Sequence, residues 1–187
     1  IKGIADNSNK VRKGYLFVAI KGENHDGHDY IGEAIKKGAV AIVGEKVKKL
    51  PNNISYIKVN DSRNALGKIA AFWFDNPSEK LTIIGVTGTK GKTTTCHLIY
   101  HIFLKKGIKA GLISSITTPG LHVTTPDAIT LQKSLKKMAD NGYKYAVLEV
   151  SSHGIQQQRI AGIKFDIAVL TNIATEHLDY HKTLDRY

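Results

Sequence analysis

Leu81-Thr-Ile-Ile-Gly-Val-Thr-Gly-Thr-Lys-Gly-Lys-Thr-Thr94 decides the fold of this chain. Residues 81–87 are an apolar, β-branched run of the kind that forms a strand buried on both faces. Gly88-Thr-Lys-Gly-Lys-Thr-Thr94 breaks that run and opens a helical pattern that continues to about Lys106 and stops at Gly107. Strand, glycine-rich turn, Gly91-Lys92-Thr93 and helix follow in the order a phosphate-binding loop requires. Backbone amides around residues 88–92 can surround polyphosphate oxygens at the positive end of the helix. Lys92 adds a point charge, and the Thr93 hydroxyl can ligate Mg²⁺. The usual loop also carries glycine five residues before Gly91, and Val86 stands there instead.

Working outward, residues 109–114, 145–150 and 165–171 are further apolar runs separated by longer helical patterns. Continuous apolar strands alternating with helices predict a parallel sheet covered on both faces. One of the helices is expected to open at Thr125-Pro-Asp127, with Thr125 as cap and Pro126 at the first helical position, and to end at Asn141-Gly142. Before residue 81 the rhythm is shorter. Strands are expected over residues 15–20, 39–43 and 55–59, with helices over 30–37 and 64–74, the second capped by Asp61 or Ser62. Asp75-Asn-Pro-Ser78 reads as a turn or linker. The chain is therefore expected to be α/β, with a small domain at 1–78 and a parallel-sheet domain at 79–187.

In an open parallel sheet, ligands to a metal–polyphosphate complex come from the carboxyl ends of neighbouring strands. Glu149 is the only acid of Ala146-Val-Leu-Glu-Val150 and sits near its end. Burying a lone carboxylate is costly, so Glu149 is either a metal ligand or the partner of a lysine. His177 follows the strand at 165–171 and can reach the same edge, although a single histidine also suits a surface or capping position. Ser151-Ser-His-Gly154 invites a hydrolase reading, but no G-x-S-x-G elbow surrounds either serine.

Composition narrows the classes. The 187 residues carry 27 Lys+Arg, 16 Asp+Glu and one cysteine, Cys96, which cannot form an internal disulfide. A reducing, cytoplasmic setting is the default. No apolar run reaches the roughly 20 residues of a membrane span, and no signal-peptide pattern opens the chain. The excess positive charge is even along the sequence, and only Arg12, Arg63, Arg159 and Arg186 are arginines. That pattern disfavours nucleic acid and suits small anionic substrates. A helix-like pattern at 175–187 runs to the last residue without a cap, and the chain is expected to be part of something longer.

The ordered set Gly88-Thr-Lys-Gly-Lys-Thr-Thr94, Thr124-Thr-Pro-Asp127, Glu149-Val-Ser-Ser-His153 with Gln157 and Arg159, and Thr171-Asn172 leading to His177-Leu-Asp-Tyr-His181 resembles the Mur ligases, most of all their MurE type. Leu16-Phe-Val-Ala-Ile-Lys-Gly22, Asp26-Gly27 and Gly38-Ala39 resemble the UDP-binding domain of the same type. This resemblance implies a peptidoglycan-precursor enzyme, cytoplasmic and monomeric, whose substrates are ATP, a UDP-N-acetylmuramoyl-L-alanyl-D-glutamate and an amino acid. ATP would phosphorylate the D-glutamyl carboxylate, and the amine would then displace phosphate. It further implies that Gly88, Thr89, Lys90, Gly91, Lys92, Thr93 and Thr94 bind ATP, with Lys92 stabilising the γ-phosphoryl. Thr93, Glu149 and His177 would hold Mg²⁺. Ser8, Thr124, Thr125, Ser151, Gln157 and Arg159 would hold the UDP substrate. Asn7-Ser-Asn9 replaces the typical Asp-Ser-Arg, Lys90 a common Asn, Val123 a frequent polar residue and Glu176 an Asp. A carbamylated lysine and an amino-acid-binding domain are expected beyond Tyr187, so these residues alone would bind without turning over. Rival readings are a nucleotide-binding module without ligase activity, another P-loop enzyme such as a small-molecule kinase, or a folylpolyglutamate or cyanophycin synthetase.

Overall fold

The structure, a computed structural model, describes residues 1–46, 50–117, 124–176 and 178–187. Contacts divide the chain into two units, Ile1–Ala70 and Ala71–Tyr187.

In the first unit, strands β1 (Gly3–Ala5), β2 (Tyr15–Val18), β3 (Ala39–Gly44) and β4 (Ser55–Lys58) lie side by side in chain order, all parallel. Helix α1 (Ile31–Lys36) connects β2 to β3 and buries Ile31 and Ala34 against Phe17 and Ile42. β1 has only three residues, too few to show the alternation that marks a strand in sequence. Helix α2 (Ser62–Trp73) starts at Asp61, whose Oδ1 accepts the Asn64 amide at 2.9 Å. After it, Asp75 and Asn76 adopt positive φ, a conformation these short polar side chains tolerate.

The second unit is built on β5 (Thr82–Thr87), β6 (Ala110–Ile113), β7 (Tyr145–Glu149) and β8 (Ile167–Leu170), in the order β6-β7-β5-β8 and parallel throughout. Alternation of side chains along a strand assigns the two faces. On one face Ile84, Val86 and Val147 pack with Cys96 of helix α3 (Lys92–Lys105). On the other, Ile83, Ala146 and Leu148 pack with Leu131 and Leu135 of helix α4 (Ala128–Asp140). The α/β class and the parallel sheet of the second unit are as the apolar runs predict; the parallel order of the first sheet was not legible in its short strands.

One boundary is corrected. Helix α4 begins at Ala128, and its cap is Asp127, whose carboxylate accepts the Thr130 amide at 2.9 Å. Thr125 does not cap the helix, because its hydroxyl is engaged across the sheet edge, where it accepts the Ser151 amide at 2.9 Å. Two short helices complete the unit, α5 (Ser152–Gln156) and α6 (Leu178–His181), of which α5 carries no apolar period that sequence could show.

Candidate functional site

The strand order puts the loop after β5 between the carboxyl ends of β7 and β8, a switch point where ligands of open α/β sheets bind. Gly88 has φ +132°, and a Cβ there would lie 2.2 Å from Thr171 Oγ1, so only glycine fits. Thr171 and Asn172 clamp the loop. The Thr171 hydroxyl donates to Lys90 O at 2.7 Å, and the Asn172 amide group does so at 2.9 Å. In return the Lys90 amide donates to Asn172 Oδ1 at 3.1 Å and the Thr89 amide to Asn172 O at 3.0 Å. Two of the amides expected to face phosphate are thus spent on the clamp. Those of the first turn of α3, which include Lys92, Thr93 and Thr94, have no carbonyl in their own helix and point toward the loop's concave side.

Lys92 folds back over this concavity, its ammonium donating to Gly88 O and Thr89 O at 2.8 Å each. Thr89 is buried, and its hydroxyl accepts the Ala174 amide at 2.9 Å and lies 2.9 Å from the Tyr187 hydroxyl. Its side chain therefore braces the loop from behind and leaves phosphate contact to its neighbours.

Glu149 shares a strand face with Val147, the face that α3 covers, and so projects beneath the first turn of that helix. It is 3% exposed. Oε1 accepts the Thr93 hydroxyl at 2.8 Å, while Oε2 accepts the Ser115 amide at 2.9 Å and the Ser115 hydroxyl at 3.1 Å. No cation is among its partners in the described residues, so no described lysine fills the paired alternative. A carboxylate and two hydroxyls form a hard, all-oxygen donor set, which suits Mg²⁺ better than softer metals. A threonine hydroxyl can give its proton to Glu149 and keep its lone pairs for the ion. Ser115, two residues beyond the end of β6, escaped the sequence reading; its position past a strand end was the available signal. His177 lies outside the described residues. Cys96, one turn along α3, has its thiol pushed up to about 12 by burial and, secondarily, by the Glu149 charge, so it is an inert packing residue.

Four of the six residues expected to hold substrate gather at the end of β7. The Thr125 hydroxyl also donates to Glu149 O at 3.2 Å and sits 3.2 Å from Ser151 Oγ. Arg159 donates through Nε and Nη2 to Gln157 Oε1, at 3.0 and 2.7 Å, and through Nη1 to Thr125 O at 2.6 Å. Thr124 immediately precedes this cluster in sequence. Ser8 belongs to the first unit. There it is buried in a short turn, Ser8–Lys10, and lines a cavity of about 410 Å³ together with Asn7, Asn9, His25, Tyr30 and Arg63. Arg63 was also missed; nothing in the sequence ties the start of α2 to residue 8.

A charged knot centred on Asp26 lies between the cavity-lining His25 and Gly27 in the chain. Asp26 accepts the His28 amide at 3.0 Å and the His28 ring Nδ1 at 2.6 Å, and pairs with Lys46 at 2.5 Å. His28 Nε2 accepts the Glu45 amide at 2.9 Å, which fixes the proton on Nδ1. The Lys46 ammonium, then the His28 amide, hold the Asp26 carboxyl well below the usual carboxylate range.

The family model described as Mur ligase middle domain matches residues 86–187, and the one described as Mur ligase family, catalytic domain matches residues 1–74. A Phocaeicola vulgatus protein named UDP-N-acetylmuramoyl-L-alanyl-D-glutamate--2,6-diaminopimelate ligase is 48% identical over 195 residues, covering 100% of this chain and 40% of the relative. An Aquifex aeolicus protein of the same name is 47% identical over 193 residues, with the same coverage. A solved structure of a ligase with that name superposes with TM-score 0.82 at 32% identity, over 99% of this chain and 39% of the other. A MurF ligase from Thermotoga maritima in complex with ADP superposes with TM-score 0.63 at 32% identity, over 98% and 40%. The chain spans about 40% of the length of these curated relatives. Among the described residues no helix is long and apolar enough to cross a membrane.

Proposed function

The chain belongs to the Mur ligase family, and from that premise we propose that it carries the UDP-substrate-binding and ATP-binding parts of a cytoplasmic, monomeric ligase joining 2,6-diaminopimelate to UDP-N-acetylmuramoyl-L-alanyl-D-glutamate. The amino acid is taken from the names of the relatives. In this reading residues 1–78 receive the uridine end, in the cavity lined by Ser8, and residues 79–187 receive ATP and the peptide end.

The single observation that carries the reading is the buried Glu149–Thr93–Ser115 junction beneath the first turn of α3. When ATP enters, the Lys92 ammonium exchanges its two loop carbonyls for γ-phosphoryl oxygens, and the free amides of α3 take further phosphate oxygens. Mg²⁺, when bound, supplies neutralisation of the β- and γ-phosphate charge, with Thr93, Glu149 and His177 as its protein ligands. Arg159, held rigid by Gln157 and Thr125, grips an anionic group of the peptide so that the D-glutamyl carboxylate faces the γ-phosphorus. Carboxylate oxygen attacks phosphorus, the bond to the β,γ-bridging oxygen breaks and ADP leaves. The amine then attacks the acyl carbon, the C–O bond to phosphate breaks, and the amine proton passes to solvent. Positioning and charge neutralisation suffice for such a transfer, which is why no nucleophilic side chain is needed.

The test uses the full-length protein. Phosphate release should require both the UDP-muramoyl dipeptide and diaminopimelate, and should be absent from residues 1–187 alone, which span about 40% of the length of the relatives. Phosphate release without the UDP substrate, or stable phosphorylation of a small acceptor, would overturn the assignment in favour of an ATPase or a kinase.

A further inference from the structure

Two parts of the site that bind different ligands in the reading above are joined by one short stretch of chain. Tyr180, in α6, accepts the Gln157 side-chain amide at its hydroxyl, at 3.2 Å. Gln157 in turn receives both inner nitrogens of Arg159. The Tyr180 ring also packs on His153, ring centroids 4.0 Å apart, and His181 reaches Ser152 Oγ from Nε2 at 2.9 Å. Seven residues after Tyr180, the Tyr187 hydroxyl meets Thr89 Oγ1 at 2.9 Å behind the phosphate loop, and its ring lies 5.2 Å from that of His181. Residues 178–187 thus touch the Arg159 clamp at one end and the phosphate loop at the other, with His181 6% exposed between them.

We infer that residues 178–187 are a strut that holds the peptide-binding arginine and the phosphate loop in register, with Tyr180 the positioning residue for Arg159 and Tyr187 that for the loop through Thr89. The reason is geometric. A guanidinium whose acceptors are all internal keeps one orientation only while those acceptors are fixed, and Gln157 carries three rotatable side-chain bonds that, among the described residues, Tyr180 restrains from the amide nitrogen. Transfer needs the carboxylate and the γ-phosphorus aligned to within about an ångström, so loss of register weakens ligand use without removing any ligand contact.

This inference rests on the proposed function, and its test separates the two. In the free full-length protein, the Arg159 Nε–H proton should exchange with water at least several-fold faster in Tyr180→Phe than in the parent, as followed by ¹⁵N-resolved NMR; an unchanged rate overturns the strut whatever the ligands prove to be. With ligands, Tyr180→Phe should raise KM for the UDP-muramoyl dipeptide about 3- to 10-fold, the worth of one neutral hydrogen bond, while KM for ATP stays within about 2-fold. Tyr187→Phe should show the reverse split. On an Arg159→Ala background Tyr180→Phe should add nothing, because its effect passes through Arg159. Additive losses, or equal losses for both substrates from each variant, would mark a general packing role and refute the proposal. A parent protein that binds neither ligand would instead defeat the functional reading, with the exchange experiment still deciding the strut.

Discussion

Lys92 and Arg159 are assigned to different ligands, and single substitutions should divide accordingly. Lys92→Ala in the full-length protein should lower amide formation by about 10²- to 10³-fold, the usual effect of losing one transition-state donor, and leave UDP-substrate affinity nearly intact. Arg159→Ala should weaken the UDP substrate and spare ATP, because the fixed guanidinium fork has no other ligand to serve. Calorimetric titration of each variant with each ligand decides this. Loss of the UDP substrate on Lys92→Ala with ATP retained would end the division of roles. Gly88→Ala tests the loop itself: the new Cβ would stand 2.2 Å from Thr171 Oγ1 at a φ of +132°. Such strain costs on the order of 1–3 kcal/mol, and ATP binding should be lost before the fold is. A Gly88→Ala protein that binds ATP as the parent does would show that the Thr171–Asn172 clamp is dispensable.

Elements differ in how far sequence alone reveals them, and the reasons are local. Strands β5 and β7 are legible because burial on both faces demands unbroken apolar runs, and Glu149 stood out as the one exception within such a run. β1 was not legible, since three residues give no period. The start of α4 was misread for a physical reason. Thr125-Pro126-Asp127 offers two caps, and the choice depends on Ser151, a residue 26 positions away that claims the Thr125 hydroxyl. Ser115 and Arg63 were not singled out, because each meets its neighbours only through the fold, and Tyr180 was quoted within a motif but given no role, since Gln157 lies 23 positions away. Lys92, Thr93 and Glu149 stand out in the sequence by motif and strand position, whereas Arg159 stands out only through the resemblance to the Mur ligases. The α4 correction yields a prediction. Asp127→Ala should destabilise the unit by about 1 kcal/mol, as loss of an N-cap does. Thr125→Val should leave the N-terminus of α4 intact and disturb the turn at Ser151. Site-resolved amide exchange at Thr130 and at Ser151 distinguishes these; protection lost at Thr130 in Thr125→Val would restore Thr125 as the cap.

At the scale of the whole molecule, Asp26 in one unit and Cys96 in the other carry shifts with opposite consequences for pH. Asp26 in residues 1–70 has its carboxyl lowered from the ordinary value of 3.8, first by Lys46 and then by the His28 amide. A lowered acid stabilises the folded state above its unfolded pKa, and that stability is lost as pH falls through the folded value. Below about pH 4 the stability that Asp26 lends to residues 21–30 beside the Ser8 cavity should therefore decline, because the unfolded chain takes up a proton that the folded carboxylate, held ionised by Lys46 and His28, refuses. Cys96 in residues 71–187 is raised from 9.0 to about 12 by burial. Its contribution is complete below pH 9 and declines between about 9 and 12, because the unfolded chain gains a thiolate that the folded unit refuses. The other lowered acids, Glu33 and Asp75, are solvent-screened pairs with Lys37 and Lys80 and should add little. Hydrogen exchange followed by segment at pH 3 and pH 10.5 checks this. Protection should fall first in residues 1–46 under acid and first around α3 under alkali, and Cys96→Ala should remove most of the alkaline effect. Loss in both units together at both extremes would mean that net charge, and not these two groups, governs the pH response of the chain.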